Sequence, residues 1–340
     1  MTPTSSENGA SHSTQVASGS RGMNWPRFVE SIALIIGIFV LVAIFGALRP
    51  QSFLSWANIT TMLGSQAVLV ILTLALIIPL TAGDFDLSIA SNLTLSAMIL
   101  AILNAQMDWP LLAAISVSLF VGIIVGIVNA TFILYFRIHS LIVTLGVGTF
   151  ITGIVLGISG SQTISGLSPE LVQFVIVKRI FGISLAFYYA FLLCAALWYF
   201  FDYTTTGRRI LFVGRGREVA RLSGVRVDRI RFWCLVASGI MSSMAGLVYA
   251  GTIGAADPLS GGTFLLPAFA AAFLGATTIS PGRFNAWGSL FAVYFLVVGI
   301  TGLTIIGIQT YVQNLFYGGA LVIAVALSQL VRNREPQEFT

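Results

Sequence analysis

The sequence predicts an all-α polytopic membrane protein with about ten transmembrane helices and cytoplasmic N- and C-termini. Three observations carry that prediction. Of 340 residues, 57% are hydrophobic and only 9% are charged, whereas soluble domains run at roughly 45–50% and about 25%. The apolar residues fall in repeated runs of spanning length, roughly 20 residues each. The arginines lie almost entirely on one side of those runs.

The elements follow in chain order. Residues 1–24 are rich in Ser, Thr and Gly and nearly free of large apolar side chains, so they read as a disordered cytoplasmic tail. The first apolar run follows too long a polar stretch to be a signal peptide and is read as a retained helix. Ten spans are expected, at about 28–48, 60–80, 87–104, 111–136, 141–160, 183–201, 232–252, 264–280, 286–303 and 312–330. The third and eighth are short and interrupted. Pro50, Pro110, Pro169, Pro258 and Pro281 mark connections. The transmembrane domain is placed at 25–331 and a second cytoplasmic tail at 332–340.

Orientation follows from basic residues. With the tail inside, fourteen arginines are cytoplasmic, and only Arg49, Lys178 and Arg179 of the 17 basic residues lie outside. The basic balance therefore reflects topology and needs no nucleic-acid partner. Cys194 and Cys234 sit in or beside apolar runs as inert thiols, and His12 and His139 stand too far apart to suggest a metal pair.

Small residues mark helix-packing faces in lipid: Gly122 and Gly126 in the fourth span, Gly146, Gly153 and Gly157 in the fifth, and Ser238, Ser242 and Gly246 in the seventh.

The longest polar connection, residues 202–231, holds eight arginines against Asp202, Glu218 and Asp228. Membrane anchoring, helped by anionic lipid, explains the sign. It leaves unexplained the segment "REVARLSG", bounded by Gly216 and Gly224, where Arg217 to Ser223 can form a short helix. A projecting helix suits docking into a cytosolic partner's groove.

"TAGDFDLSIASN" sets Asp84 and Asp86 between apolar runs, where a charge at the bilayer centre would cost about 2.5–3.5 kcal/mol. Both are therefore expected at a cytoplasmic turn, with Asp86 accepting free N–H groups at a helix start or touching solute. Beyond it, Ser88, Ser91, Asn92 and Ser96 fall within about 140° of arc on a helix. That face turns toward protein or a water-filled path, and Asn129 and Gln66 are further polar candidates.

These stretches resemble ABC-importer permeases of the ribose/monosaccharide type. "TGRRILFVGRGREVARLSGV" is similar to the family's cytoplasmic loop at Thr206, Gly207, Arg208, Gly214, Ala220, Arg221, Leu222, Ser223 and Gly224, with Gly216 in place of its asparagine and Phe212 in place of a small residue. "LTAGDFDLSIASNLTLSA" is similar at Gly83, Asp86, Leu87, Ser88 and Ser91. "AAAFLGATTISPGRFNAWGSL" is similar at Gly275, Thr277, Gly282 and Gly288. The resemblance covers roughly residues 28–330. It implies an all-helical permease working as a pair (homodimer or related heterodimer) in the bacterial inner membrane, with an ABC ATPase and an external solute-binding protein. It implies that Arg217, Glu218, Ala220, Arg221, Leu222, Ser223 and Gly224 form the ATPase-coupling segment. Asp86, Ser88, Ser91, Asn92, Ser96 and Asn129 are the expected translocation-pathway residues, with a sugar or polyol as solute. Asp84 departs from the family pattern, as does Leu265-Leu266-Pro267-Ala268, where many members carry an acidic pair.

No G-x-x-x-x-G-K-[ST] occurs, and the only lysine is Lys178. ATP is therefore expected to be used by a partner, with no cofactor, metal or catalytic site on this chain. The competing reading is an ion-driven secondary transporter, for which the 84/86 pair is the sole acid candidate. An intramembrane enzyme lacks a nucleophile–base pair.

Overall fold

The fold was analysed in a computed structural model that describes residues 25–309 and 311–333. The tail read at 1–24 and most of the one at 332–340 lie outside the described residues. In chain order the helices are α1 (Trp25–Leu48), α2 (Pro50–Phe53), α3 (Trp56–Ser65), α4 (Ala67–Thr81), α5 (Ile89–Ala101), α6 (Leu111–Leu134), α7 (Ser140–Ser159) and α8 (Pro169–Val172). They continue as α9 (Leu185–Tyr203), α10 (Thr205–Arg215), α11 (Arg217–Leu222), α12 (Val227–Ile253), α13 (Gly262–Gly275), α14 (Ala286–Ile305) and α15 (Tyr311–Asn333). Short π-turns, Ile102–Gln106 and Gln173–Val177, extend α5 and α8. Four two-residue strands complete the set: β1 (Ile164–Ser165), β2 (Arg179–Ile180), β3 (Ile183–Ser184) and β4 (Ala255–Ala256). β1 pairs antiparallel with β4, and β2 with β3 across a turn whose Phe181 and Gly182 both have positive φ.

Among the described residues, seven helical segments are long and apolar enough to cross a membrane: Trp56–Thr81, Ile89–Gln106, Leu111–Leu134, Ser140–Ser159, Leu185–Tyr203, Val227–Ile253 and Ala286–Ile305. Ile32–Leu48, Gly262–Gly275 and Tyr311–Ala326 are shorter apolar helices. The expected second span starts earlier, at Trp56, and breaks at Gln66 between α3 and α4. The expected eighth, 264–280, shrinks to Gly262–Gly275, because the chain turns there and Gly275 packs directly on the backbone of Gly288 and Ser289.

The centre is α4, all fifteen of whose residues are buried. It packs against α9, α12 and α13, and α12 in turn packs against α5 and α6. Two glycine stripes make the α6–α12 contact. A Cβ on Gly126 would lie 2.6 Å from the Cα of Val236, and one on Gly239 would collide with the carbonyl of Gly122. Close backbone approach of this kind replaces the hydrophobic drive that lipid does not supply. Gly146, Gly153 and Gly157 of α7 behave differently, since a Cβ there would meet nothing within 4 Å. The outer faces of α6, α7 and α9 carry exposed Phe120, Phe150, Ile154 and Leu192, as a lipid-facing belt would.

Connections gather at two ends. At one end Arg217 pairs with Asp84, Ser140 Oγ accepts the Phe85 N–H, and Arg283 pairs with Asp202. Asn104 with Ser168, and Thr163 with Asp257, are linked at the other.

Candidate functional site, a clasp on a buried turn

The connection from α4 to α5, residues 82–88, carries both aspartates. Pro79 lies within the last turn of α4, which ends at Thr81, and Gly83 takes the positive φ (82°) that turns the chain back. The turn enters the protein interior. Ser140 Oγ accepts the Phe85 N–H at 3.1 Å and Thr144 Oγ1 accepts the Leu87 N–H at 3.0 Å, both from the first turns of α7.

Asp84, expected at a cytoplasmic turn, is 2% exposed. Its Oδ2 accepts from Arg231 Nε at 2.7 Å, and its Oδ1 accepts from Arg231 Nη2 at 2.7 Å and Arg217 Nη2 at 2.9 Å. The two-pronged Arg231 bond has the planar fork geometry that favours arginine over lysine. Arg217 Nη2 also donates to the carbonyls of Gly83 (2.7 Å) and Ala82 (3.3 Å). One guanidinium from α11 therefore grips the C-terminal end of α4, where free carbonyls attract positive charge. Beside it, the Gly214 backbone of α10 lies on the Thr81 carbonyl too closely to admit a Cβ. A polar cavity of about 240 Å³, bordered by Asp84, Arg137, His139 and Arg221, lies next to the clasp.

The segment expected to dock an ATPase divides in two. It is helical over Arg217–Leu222, Ser223 follows as its C-cap, and Gly224 stops it with φ 79°. Arg217 and Ala220 face inward, Ala220 against Val213 and Val227. Glu218, Arg221, Leu222, Ser223 and Gly224 are exposed, Leu222 at 88%. Val219, unremarked in the sequence reading, adds an exposed apolar side chain one turn from Leu222.

Asp86 also lies in the interior. Its Oδ1 accepts from Ser88 N (3.0 Å) and Ser88 Oγ (2.6 Å), and its Oδ2 accepts from Ser238 Oγ (2.8 Å) on α12. It thus satisfies a free N–H ahead of α5, although the N-cap position itself belongs to Ser88. Ser238 stands eleven residues into α12, about 16 Å along its axis at about 1.5 Å per residue, so Asp86 sits well inside the helical bundle. The rest of the polar stripe is tied to neighbouring helices. Asn129 Nδ2 donates to Ser88 Oγ at 2.7 Å, Asn92 Nδ2 to Ser242 Oγ at 2.6 Å and Gly239 O at 2.8 Å, and Ser96 Oγ to Ser118 O at 3.0 Å. Ser91 and Thr152 hydroxyls meet at 3.2 Å. All but Ser91 are buried, and the carbonyl oxygens of Asn92 and Asn129 have no hydrogen-bond partner. Gln66 falls at the α3–α4 break, where its side-chain amide donates to Ser65 Oγ at 3.3 Å. The stripe thus forms a polar seam joining α5 to α6, α7 and α12.

Long apolar helices packed around a polar seam, with a short exposed helix tied to a buried turn, make this a polytopic membrane protein. Residues 58–325 match the family described as the branched-chain amino acid transport system permease component, and the chain belongs to that family. It is 31% identical to the D-allose transport system permease protein AlsC of Escherichia coli (strain K12), over 93% of this chain and 96% of that protein. It is 32% identical to the autoinducer 2 import system permease protein LsrD of Photorhabdus laumondii subsp. laumondii, over 88% and 91%. It is 29% identical to the galactose/methyl galactoside import permease protein MglC of Salmonella typhimurium (strain LT2), over 86% and 94%. No solved structure matches the chain.

Proposed function

We propose that this chain is the membrane subunit of an ATP-binding-cassette importer for a sugar or polyol, carrying its solute across the bacterial inner membrane by alternating access. The single observation that supports this best is the clasp. A helix with an exposed outer face, α11, holds the α4–α5 turn through Arg217 and Asp84. Force applied to Leu222, Val219 and Arg221 by an ATPase would reach the start of α5, where Asp86 and the polar stripe lie. The relatives named for allose and galactose support a sugar as solute.

In this reading all ten apolar helices span, both termini are cytoplasmic, and the end bearing Arg217 and Arg283 faces the ATPase. ATP acts on that partner and an external binding protein delivers solute, so this chain binds no cofactor. A second copy completes the pathway. Most polar groups of Asp86, Ser88, Asn92, Ser96 and Asn129 are taken up in hydrogen bonds within the chain, with the amide oxygens of Asn92 and Asn129 left over, which leaves little polar surface for solute within one chain. The outward face of α7, with Gly146, Gly153 and Gly157 uncovered, suits close packing by that copy beside a shared path.

Reconstitution tests the proposal. Uptake into proteoliposomes should require an ATPase subunit, ATP and a binding protein. Uptake by this chain alone on a proton or sodium gradient would reverse it in favour of a secondary transporter.

A further inference from the structure

A second cavity, of about 840 Å³, opens between α9, α10 and α12, with Ile78 of α4 on its floor. It lies at the same end of the molecule as the clasp and borders the end of the α11 segment at Ser223 and Gly224, but none of the residues assigned to the solute path lines it. Its chemistry is divided along its length. Arg209, Arg226 and Arg229 line it together with Phe200, Trp233 and Met241, and along α12 Trp233 lies about one turn, and Met241 about three turns, beyond Arg229. The three arginines are exposed, and among the described residues none is in an ion pair. The remaining arginines of α11 and early α12, Arg217, Arg221 and Arg231, all have carboxylate partners.

The dimensions narrow the occupant. Met241 lies twelve residues beyond Arg229 on α12, about 18 Å at about 1.5 Å per residue. Half of a hydrocarbon core about 30 Å thick is roughly 15 Å. The groove therefore runs from a cationic mouth inward by about the depth of one leaflet. A partner protein's carboxylate would use the mouth and leave the apolar length empty. Inorganic phosphate would do the same. We propose that this groove binds an anionic glycerophospholipid, with its phosphate on Arg209, Arg226 and Arg229 and an acyl chain along Phe200, Trp233 and Met241. The inference is independent of which solute is carried.

The test is native mass spectrometry of the purified full chain in detergent doped with dioleoyl phosphatidylglycerol or dioleoyl phosphatidylcholine. The wild type is expected to retain phosphatidylglycerol preferentially, and R209Q/R226Q/R229Q to lose that preference by on the order of fivefold per arginine removed. A second triple variant off the groove, R137Q/R208Q/R215Q, should keep it. Ala237→Phe, which fills the groove and leaves the arginines in place, should also lose the lipid. Three results would overturn the proposal: equal retention of the two lipids by the wild type, equal losses in the two triple variants, or displacement of the lipid by millimolar inorganic phosphate. Should Ala237→Phe misfold, the pair of triple variants, which change only exposed side chains, still decides the question.

Discussion

Asp84→Ala should destabilise the permease far more than a substitution at a loop aspartate normally does. It removes three charge-assisted hydrogen bonds, of 2.7, 2.7 and 2.9 Å. Their loss is unequal in effect. Arg217 keeps the Gly83 and Ala82 carbonyls and is 37% exposed, so water takes over much of its solvation. Arg231 is only 14% exposed and keeps just Asp228 at 4.0 Å. A buried charge stripped of its partner costs about 3–5 kcal/mol, and nearly all of it should come from Arg231. Removing that charge as well should restore stability, so Asp84→Ala/Arg231→Met is expected to be more stable than Asp84→Ala, with a coupling energy of about 2 kcal/mol between the positions. The assay is unfolding by sodium dodecyl sulfate in mixed micelles, followed by circular dichroism for the wild type, both single variants and the double variant. An Asp84→Ala protein within about 0.5 kcal/mol of the wild type, or a double variant whose loss is the sum of the single losses, would refute the reasoning.

Three further predictions concern packing and docking. Arg221→Glu, on the exposed side of α11, should weaken capture of the ATPase while membrane insertion stays intact; undiminished pull-down would show that the contact lies elsewhere. Gly126→Leu should overpack the α6–α12 seam, where even a Cβ approaches the Val236 Cα to 2.6 Å, and cost about 1–3 kcal/mol, read as a lowered midpoint in the same micelle titration. A Cβ at Gly153 would meet nothing within 4 Å in one chain, so with Gly153→Leu the monomer should keep its stability while crosslinked dimer decreases; a destabilised monomer with normal dimer would reverse the assignment of that face.

Much of the fold was legible because lipid imposes simple demands. Runs of apolar residues mark spans, and the glycines flanking "REVARLSG" marked α11 because Gly224 takes a backbone angle that other residues avoid. The stripe from Ser88 to Ser96 was correctly read as turned away from lipid. Periodicity, however, names a face and not the neighbour across it. Nothing local to Asp84 announces Arg231, 147 residues later. The eight arginines of the loop look alike in sequence, yet Arg217 and Arg231 reach inward while Arg209, Arg226 and Arg229 do not. Likewise the glycines of α6 and α7 are equivalent as spacings, and only the fold shows that one set is filled and the other open. The break at Gln66 was missed because the run was read as one span through Gly64, Ser65 and Gln66, whereas the eighth span, expected to be short and interrupted, is the 14-residue α13.

The complete burial of α4 bears on how the molecule is made. A segment this apolar would partition into the bilayer unaided, yet in the finished protein every one of its residues is buried by the rest of the chain. Its greasiness therefore serves the moment of synthesis, when it stands alone, and afterwards becomes the surface on which α9, α12 and α13 assemble. Those partners are all made later than α4. The chain must hold its most apolar strip in lipid until more than a hundred further residues have emerged, and only then does the strip change solvent, from acyl chains to protein.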